Sequence, residues 1–338
     1  MILIYRRIIL IMFSILLAAC EDDASPALND IEKQPLIRLG MAMQPSSALL
    51  IIADKKGFFQ QQGLQVAITP YPSGKRALHE GLLNDEVDII GLNESPFVMA
   101  AFKHKDLRTF SHIFIDDNTN AIVTRRDLGV QFPADLKGKK IATQEASAVH
   151  YFLHQFLIEN NIAFDQIEIN FYKAETLVSK LMKGKIDAFS MREPYISEAK
   201  KFLKDNVVVF EEEGIYTQIG LLVANETYLL NNRRASKNFL RALLQAEDYF
   251  LKHRQEGLKI VAVYLGTDFT TFTDGFGQAE VRLGIDQLYI NVSEEIARWA
   301  INKGYVDKKE MPNFLQRVMP EPLREIAPDS VTLIDEQE

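Results

Sequence analysis

Hydrophobic positions along this chain fall into three regimes. From Ile8 to Leu17 they form one apolar run, preceded by Arg6 and Arg7 and too short to span a bilayer comfortably. Residues 21–34 carry no sustained periodicity; Glu21, Asp22, Asp23, Ser25, Pro26 and Asn29 mark them as a flexible, acidic tether. From Leu36 onward short apolar runs alternate with amphipathic stretches. Strands are predicted over 36–41, 64–69 and 87–92, and helices over 46–53, 74–83 and 96–102, with Ser46 and Ser47 as N-cap candidates and a break near Gly57. This β-α-β-α order predicts a mainly parallel sheet with helices on its faces.

The pattern then restarts. Strands are predicted over 121–124, 139–143, 167–172, 186–191, 207–210 and 218–224, interleaved with helices over 148–159, 176–182 and 195–203. The remainder reads as helical, over 237–250, 258–265, 281–285 and 294–302. Two α/β units followed by a helical tail suggest two lobes with a cleft between them. In open α/β sheets ligands bind outside the carboxyl ends of the strands, which selects the turns worth reading.

Composition narrows the function. The chain has 338 residues, of which 47% are hydrophobic and 25% charged, the profile of an ordinary globular protein with ample core. A formal net charge of −8 argues against nucleic acid as a partner. The one cysteine is Cys20, so nothing beyond it can form a disulfide, a thiolate metal site or a thiol nucleophile. No G-x-S-x-G, Walker loop or metal quartet appears. His150 and His154 stand four apart, but no H-E-x-x-H surrounds them; they read as one surface and one packing position, and Trp299, at helical spacing from Ile296, reads as core. No cofactor and no metal are expected.

Leu17-Ala18-Ala19-Cys20 closes the first apolar run and resembles the lipobox of bacterial lipoproteins, in which the cysteine becomes the lipidated N-terminus. The resemblance implies a signal peptide over 1–19, lipidation at Cys20, and a mature chain tethered to a membrane surface in the periplasm or at the cell surface; a short anchor or an ordinary signal peptide is the alternative. Further on, Ala53-Asp54-Lys55-Lys56-Gly57-Phe58-Phe59 with Gln62-Gly63-Leu64 is similar to the opening motif of the nitrate/sulfonate/taurine-type substrate-binding proteins of ABC importers. Ser73-Gly74, Gly81, Val87-Asp88-Ile89-Ile90-Gly91, Asp135-Leu136-Lys137-Gly138-Lys139-Lys140-Ile141-Ala142, Leu181-Met182-Lys183-Gly184-Lys185-Ile186-Asp187-Ala188 and Glu193-Pro194 continue the order over roughly residues 36–305. The resemblance implies a type II periplasmic-binding-protein fold: lobe 1 over 35–120, lobe 2 over 121–218, and 219–338 returning to lobe 1 with the helical tail packed on it. Crossing strands are then expected near 121–124 and 218–224, acting as a hinge.

The turns after predicted strands supply the ligand candidates. Gln44, Ser46 and Ser47 open a helix, where hydroxyls and free N–H groups suit an anion or serve as plain caps. Ser73 and Gly74 follow the second strand, the glycine allowing close backbone approach. Asn93, Glu94 and Ser95 end an apolar strand and are hard to place in a core. In the second lobe, Thr143, Glu145 and Ser147 surround the turn that relatives use for the ligand's polar head. A carboxylate at Glu145 would favour a ligand carrying a donor, although proximity to a helix start also suits it. Arg192 stands where relatives often have an aromatic residue; it can pair a carboxylate or sulfonate, or neutralise Glu193. Asn118 and Tyr216 flank the expected hinge.

These features give an expectation: a monomeric, lipid-anchored solute receptor that closes on a small polar organic solute (sulfonate-, amino- or pyrimidine-like) and delivers it to the transmembrane subunits of an ABC permease. A ligand sensor for a signalling partner and, more remotely, an enzyme related to thiamine-pyrimidine synthesis are the alternatives.

Overall fold

The strand signals from residue 36 onward resolve into two five-stranded sheets and a two-stranded pair. The strands of the large sheets are β1 (Leu36–Ala42), β2 (Gln65–Tyr71), β3 (Ile89–Asn93), β4 (Leu107–Asp116), β5 (Asn120–Arg125), β6 (Lys140–Thr143), β7 (Glu168–Phe171), β8 (Ala188–Arg192), β9 (Val207–Glu211) and β10 (Gln218–Asn225). Sheet one has the order β2-β1-β3-β10-β4 and sheet two the order β7-β6-β8-β5-β9. The computed structural model describes residues 35–117, 119–276, 279–307 and 310–334. The leader, Cys20, the tether and Asn118 therefore lie outside the described residues.

The expectation of mainly parallel sheets is only half right. β1 pairs parallel with β2 and β3, and β6 parallel with β7 and β8. β10, however, runs antiparallel between β3 and β4, and β5 antiparallel between β8 and β9. The reason is topological. β5 and β10 are the strands that follow each passage of the chain from one sheet to the other, and each enters against the direction of its neighbours. The passages themselves are short, between Asp116 and Asn120 and between Glu211 and Gln218. Their ends are tied: Asn120 Nδ2 donates to Gln218 Oε1 at 3.2 Å, and Thr119 Oγ1 to Asp116 Oδ2 at 2.8 Å.

The helices that matter for the site are α1 (Ala48–Lys55), α2 (Glu94–Ala101), α3 (Ala148–Glu159), α4 (Tyr195–Leu203), α5 (Arg233–Lys252), α6 (Arg254–Leu265) and α7 (Gln287–Lys303). Gly57, with φ +71°, supplies the left-handed turn that stops α1 before the short helix Phe58–Gln61. In α5, Phe239, Leu240, Leu243, Ala246 and Phe250 make one apolar face that buries against α1, and the Phe239 ring stacks on Phe59 at 5.1 Å. α6 also lies on α1, and α7 on α2, so the tail covers sheet one. Residues 74–83, expected as one helix, form a helical stretch that widens over Ala77–Gly81 and tightens over Leu82–Asn84.

Residues 281–285 are not helical, contrary to the pattern expected above. Val281, Leu283 and Ile285 alternate with polar or small residues, a period of two, and all three point into the core. The segment lies antiparallel along β4, with bridges Ile115–Glu280 and His112–Gly284, and so covers that edge of sheet one. The ten-residue β4 itself carried no strand signal, because Thr109, Ser111 and His112 interrupt its apolar run. All three are buried, with Thr109 Oγ1 donating to Leu222 O at 3.1 Å and Ser111 Oγ to His112 O at 2.7 Å.

Candidate functional site

The turns at the carboxyl ends of β1, β2, β3, β6 and β8 converge on one small cavity. It is lined by Gln44, Ser73, Gly74, Lys75, Asn93, Pro96, Gln144, Ser147, Ala148 and Arg192 and measures about 10 Å³, room for about one water molecule. Through Lys75 and Gln144 it opens into an outer cleft of about 370 Å³, bordered by Phe171, Tyr172 and Lys173. The first six lining residues come from the sheet-one half and the last four, Gln144 to Arg192, from the sheet-two half.

On the sheet-one side three side chains hold one another. Gln44 Nε2 donates to Ser46 Oγ at 2.7 Å and to Asn93 Oδ1 at 2.8 Å, and Ser46 Oγ donates to the same oxygen at 2.8 Å. Ser47, expected as a cap, instead donates from Oγ to Ala42 O at 2.7 Å. Ser73 does cap, accepting Arg76 N–H at 3.4 Å. Gly74 has a packing reason besides its place in the wall: a Cβ there would stand 2.6 Å from Leu92 Cβ.

The contacts across the cleft are polar. Gln144 Nε2 donates to Ser73 Oγ at 3.4 Å, Lys75 Nζ to Glu145 O at 2.7 Å, and Arg76 Nη1 to Glu175 Oε1 at 3.0 Å. Together with the packing of α2 against α3 they knit the described residues from Pro35 onward into one unit. Ser147 Oγ is turned back to Gln144 O at 2.6 Å, and Thr143 Oγ1 to Ser190 O at 3.4 Å.

Arg192 and Lys75 are the two ionisable residues of the inner wall, and Arg192 is the more deeply buried. It is 3% exposed, and its Nε is buried without a hydrogen-bond partner. Loss of water lowers its pKa, against the nearby Tyr195, Tyr216 and Glu94, which raise it. Among the described residues no ion pair joins it to Glu193. That carboxylate instead accepts the Ser197 N–H at 3.1 Å, holding the start of α4.

Glu94 is fully buried but engaged by protein. Its carboxylate accepts from the Tyr216 hydroxyl, from Ser95 Oγ at 2.8 Å and from Ile219 N–H at 2.7 Å, so it fixes the start of β10. Burial pushes its pKa up. Glu145 is exposed on the rim of the outer cleft and does not line the inner cavity. Ser46, Ser47, Glu94, Ser95, Thr143, Glu193 and Tyr216 thus support the wall from behind, whereas Gln44, Ser73, Gly74, Asn93, Ser147 and Arg192 line it. Lys75, Pro96, Gln144 and Ala148 are not among the candidates from sequence; the position of Lys75, directly after Ser73-Gly74 in a strand-to-helix turn, is the available signal.

Just inside α3 from the cavity, His150 is the packing position, buried at 2% exposed, and His154 is only partly buried. Their neighbours are aromatic: His150 meets Trp299 edge-on at 5.1 Å and Tyr305 at 4.9 Å, and His154 meets Phe164 at 4.6 Å. Trp299 is core, as expected, at 6% exposed. His150 Nδ1 accepts Ala146 N–H at 3.1 Å, which leaves Nε2 to carry the proton towards Tyr305 Oη at 3.2 Å. Desolvation first, then the charges of His154 and Lys75, lower its pKa to about 3. The folded value lies below the unfolded one, so the stability contributed by the neutral ring is present above about pH 6.5 and lost as pH falls below it. The expected loss is about 1.4 kcal/mol per pH unit. His150→Asn keeps an acceptor for Ala146 and a donor for Tyr305; thermal melts between pH 7 and 5 should show a flatter profile for it than for the wild type. Equal slopes would remove His150 as the cause.

A family model described as "NMT1/THI5 like" matches residues 44–257. A putative aliphatic sulfonates-binding protein of Bacillus subtilis (strain 168) is 29% identical over 194 residues, 56% of this chain and 57% of that protein. The nitrate import ATP-binding protein NrtC of Synechocystis is 27% identical over 339 residues, 86% of this chain and 49% of the relative. The chain thus spans about half the length of these two curated relatives. Among solved structures, the alkanesulfonate-binding protein SsuA from Xanthomonas axonopodis pv. citri, bound to MOPS, superposes with a TM-score of 0.73 at 17% identity, covering 84% of this chain and 98% of that one. The periplasmic nitrate-binding protein NrtA from Synechocystis PCC 6803 gives 0.66 at 14% identity, covering 88% and 89%. At these identities the structural likeness establishes the fold, a two-sheet periplasmic-binding-protein architecture.

Proposed function

The chain belongs to the NMT1/THI5-like family, and from that premise we propose that it is an extracytoplasmic solute receptor of an ABC importer that closes on a small organic anion. The observation that carries this reading is Arg192, a buried guanidinium with an unpartnered Nε in a cavity built from both halves. A buried cation without a carboxylate partner is costly to keep and is expected where an anion arrives to pair with it. Relatives named as aliphatic sulfonate-binding and nitrate import proteins bear on the same chemistry.

In this reading lobe 1 comprises 35–120 and 219–338, lobe 2 comprises 121–218, and the two passages between the sheets are the hinge. A cavity of about 10 Å³ admits no organic anion unless the lobes part. Parting breaks the links Gln144–Ser73, Lys75–Glu145 and Arg76–Glu175. The one ion pair among them, Arg76–Glu175, is worth about 0–1 kcal/mol; the aromatic contacts of α3 with Trp299 and Tyr305 also join the lobes, and ligand contacts from both lobes decide which state is populated. Binding rather than catalysis is favoured because Ser46, Ser47 and Ser147 donate their hydroxyls to protein acceptors and no thiol exists beyond Cys20. The lipid anchor at Cys20, the 21–34 tether and a permease partner complete the proposal; a tether raises the local concentration of the receptor at the permease.

A thermal-shift screen of alkanesulfonates, carboxylates, nitrate, amino acids and pyrimidines tests it. At a hundredfold excess over Kd an anion should add about 2.7 kcal/mol of stability, several degrees in Tm. Shifts confined to neutral or cationic solutes would contradict the reading.

A further inference from the structure

Two cations, from opposite halves, share the inner cavity. Arg192 ends β8 in the sheet-two half, and Lys75 follows β2 in the sheet-one half; both line the same wall. No carboxylate lines it. The three nearby acidic side chains are occupied or elsewhere: Glu94 is held by Tyr216, Ser95 and Ile219, Glu193 holds α4, and Glu145 stands on the outer rim. The neighbouring Arg76 shows what a structural cation at this mouth looks like, since it pairs with Glu80 at 2.7 Å and Glu175 at 3.0 Å. Lys75 instead makes its hydrogen bond to a neutral carbonyl, Glu145 O at 2.7 Å, and meets the Glu145 carboxylate only through space.

Like charges brought into one poorly hydrated cavity repel, and closure is what brings these two together. A monoanion offsets one of them. We propose that the solute is a small dianion, one charge held by Arg192 in the sheet-two half and the other by Lys75 in the sheet-one half, so that the ligand's two charges draw the halves together. This rests on reading the cavity as an anion site and adds the charge and bipolar form of its occupant: a sulfocarboxylate or a dicarboxylate. A ligand with two charges spans both cations, whereas one with a single charge leaves one of them without an anionic ligand group.

Calorimetric titration at neutral pH with two matched pairs tests this, sulfoacetate against sulfoacetamide and succinate against succinamate, each pair differing by one charge at nearly constant shape. The wild type is expected to bind the dianion of at least one pair about tenfold or more tightly than its amide. Lys75→Gln should bring that ratio close to one, and Lys75→Arg should restore it, with melting curves confirming that both variants fold. Binding of the monoanions without a preference for dianions, or an unchanged ratio in Lys75→Gln, would overturn the dianion while leaving the anion receptor standing. Failure of all four compounds, together with no anion in the wider screen, would overturn both.

Discussion

Replacing Arg192 with methionine is expected to remove anion binding and leave the fold as stable as before, or more so. The two halves of this expectation come from one fact, the burial of a guanidinium whose Nε has no partner. Where an anion pairs with such a group, truncating it costs about 2–5 kcal/mol of binding, a loss of about thirtyfold or more. In the unliganded protein the same charge is a burden, because desolvation is offset only by the neighbouring Tyr195, Tyr216 and Glu94. Exchange of a buried charge for an apolar side chain of similar length is often neutral or stabilising. Titration calorimetry and thermal melts of the same variant read both numbers. A variant that binds anions as the wild type does would exclude Arg192 from the site; one that binds weakly and also melts several degrees lower would recast the residue as structural.

The largest loss of stability is expected from Glu94→Ala. The carboxylate ties the first residue of α2 to the start of β10 through Ile219 N–H, and to the second passage between the sheets through Tyr216. Alanine would strand a buried backbone N–H, a buried phenol and the Ser95 hydroxyl. Each unmet group costs about 1–3 kcal/mol, and about 3–5 kcal/mol in sum is expected after relaxation. Glu94→Gln retains an acceptor and should cost much less. The pH dependence follows from the raised pKa: the protonated form is favoured in the fold, so this contribution is fully present below the unfolded carboxyl value and is lost as pH rises through the folded one. Denaturant unfolding of the three proteins measures the order. An alanine variant as stable as the glutamine variant would show that the bonds to Tyr216 and Ile219 contribute little.

Sequence periodicity reached most of the framework because its elements are locally consistent. The bounds of α3 and α4 coincide with the pattern, and the strands of both sheets up to β3 and from β5 are short, apolar and flanked by turn residues. β4 was hidden because its polar residues are buried, with Thr109 bonded across to β10, a long-range fact that no window contains. Residues 281–285 were misread as helical for a related reason: five residues cannot separate a period of two from one of 3.6, and the partner strand decided. Within the site, strand-end turns pointed to Gln44, Ser73, Asn93, Ser147 and Arg192, because the carboxyl ends of parallel strands meet at one cleft. Lys75 carried only the signal of its place after Ser73-Gly74, which is outweighed because a lysine at the start of an amphipathic helix reads as a solvated face. Glu94 drew attention as a polar residue at the end of an apolar strand, but its partners Tyr216 and Ile219 lie more than a hundred residues away. Polarity in a turn locates a cleft; only the fold tells which polar groups remain unspent.

The most direct test of an anion held between the two halves is a crystal structure of the protein with the tightest-binding anion from the screen. The expected result has anion oxygens within about 2.7–3.2 Å of the Arg192 guanidinium, with further contacts from the Ser73–Lys75 turn of the opposite half. An anion bound elsewhere, with the Arg192 guanidinium still unpaired, would contradict it.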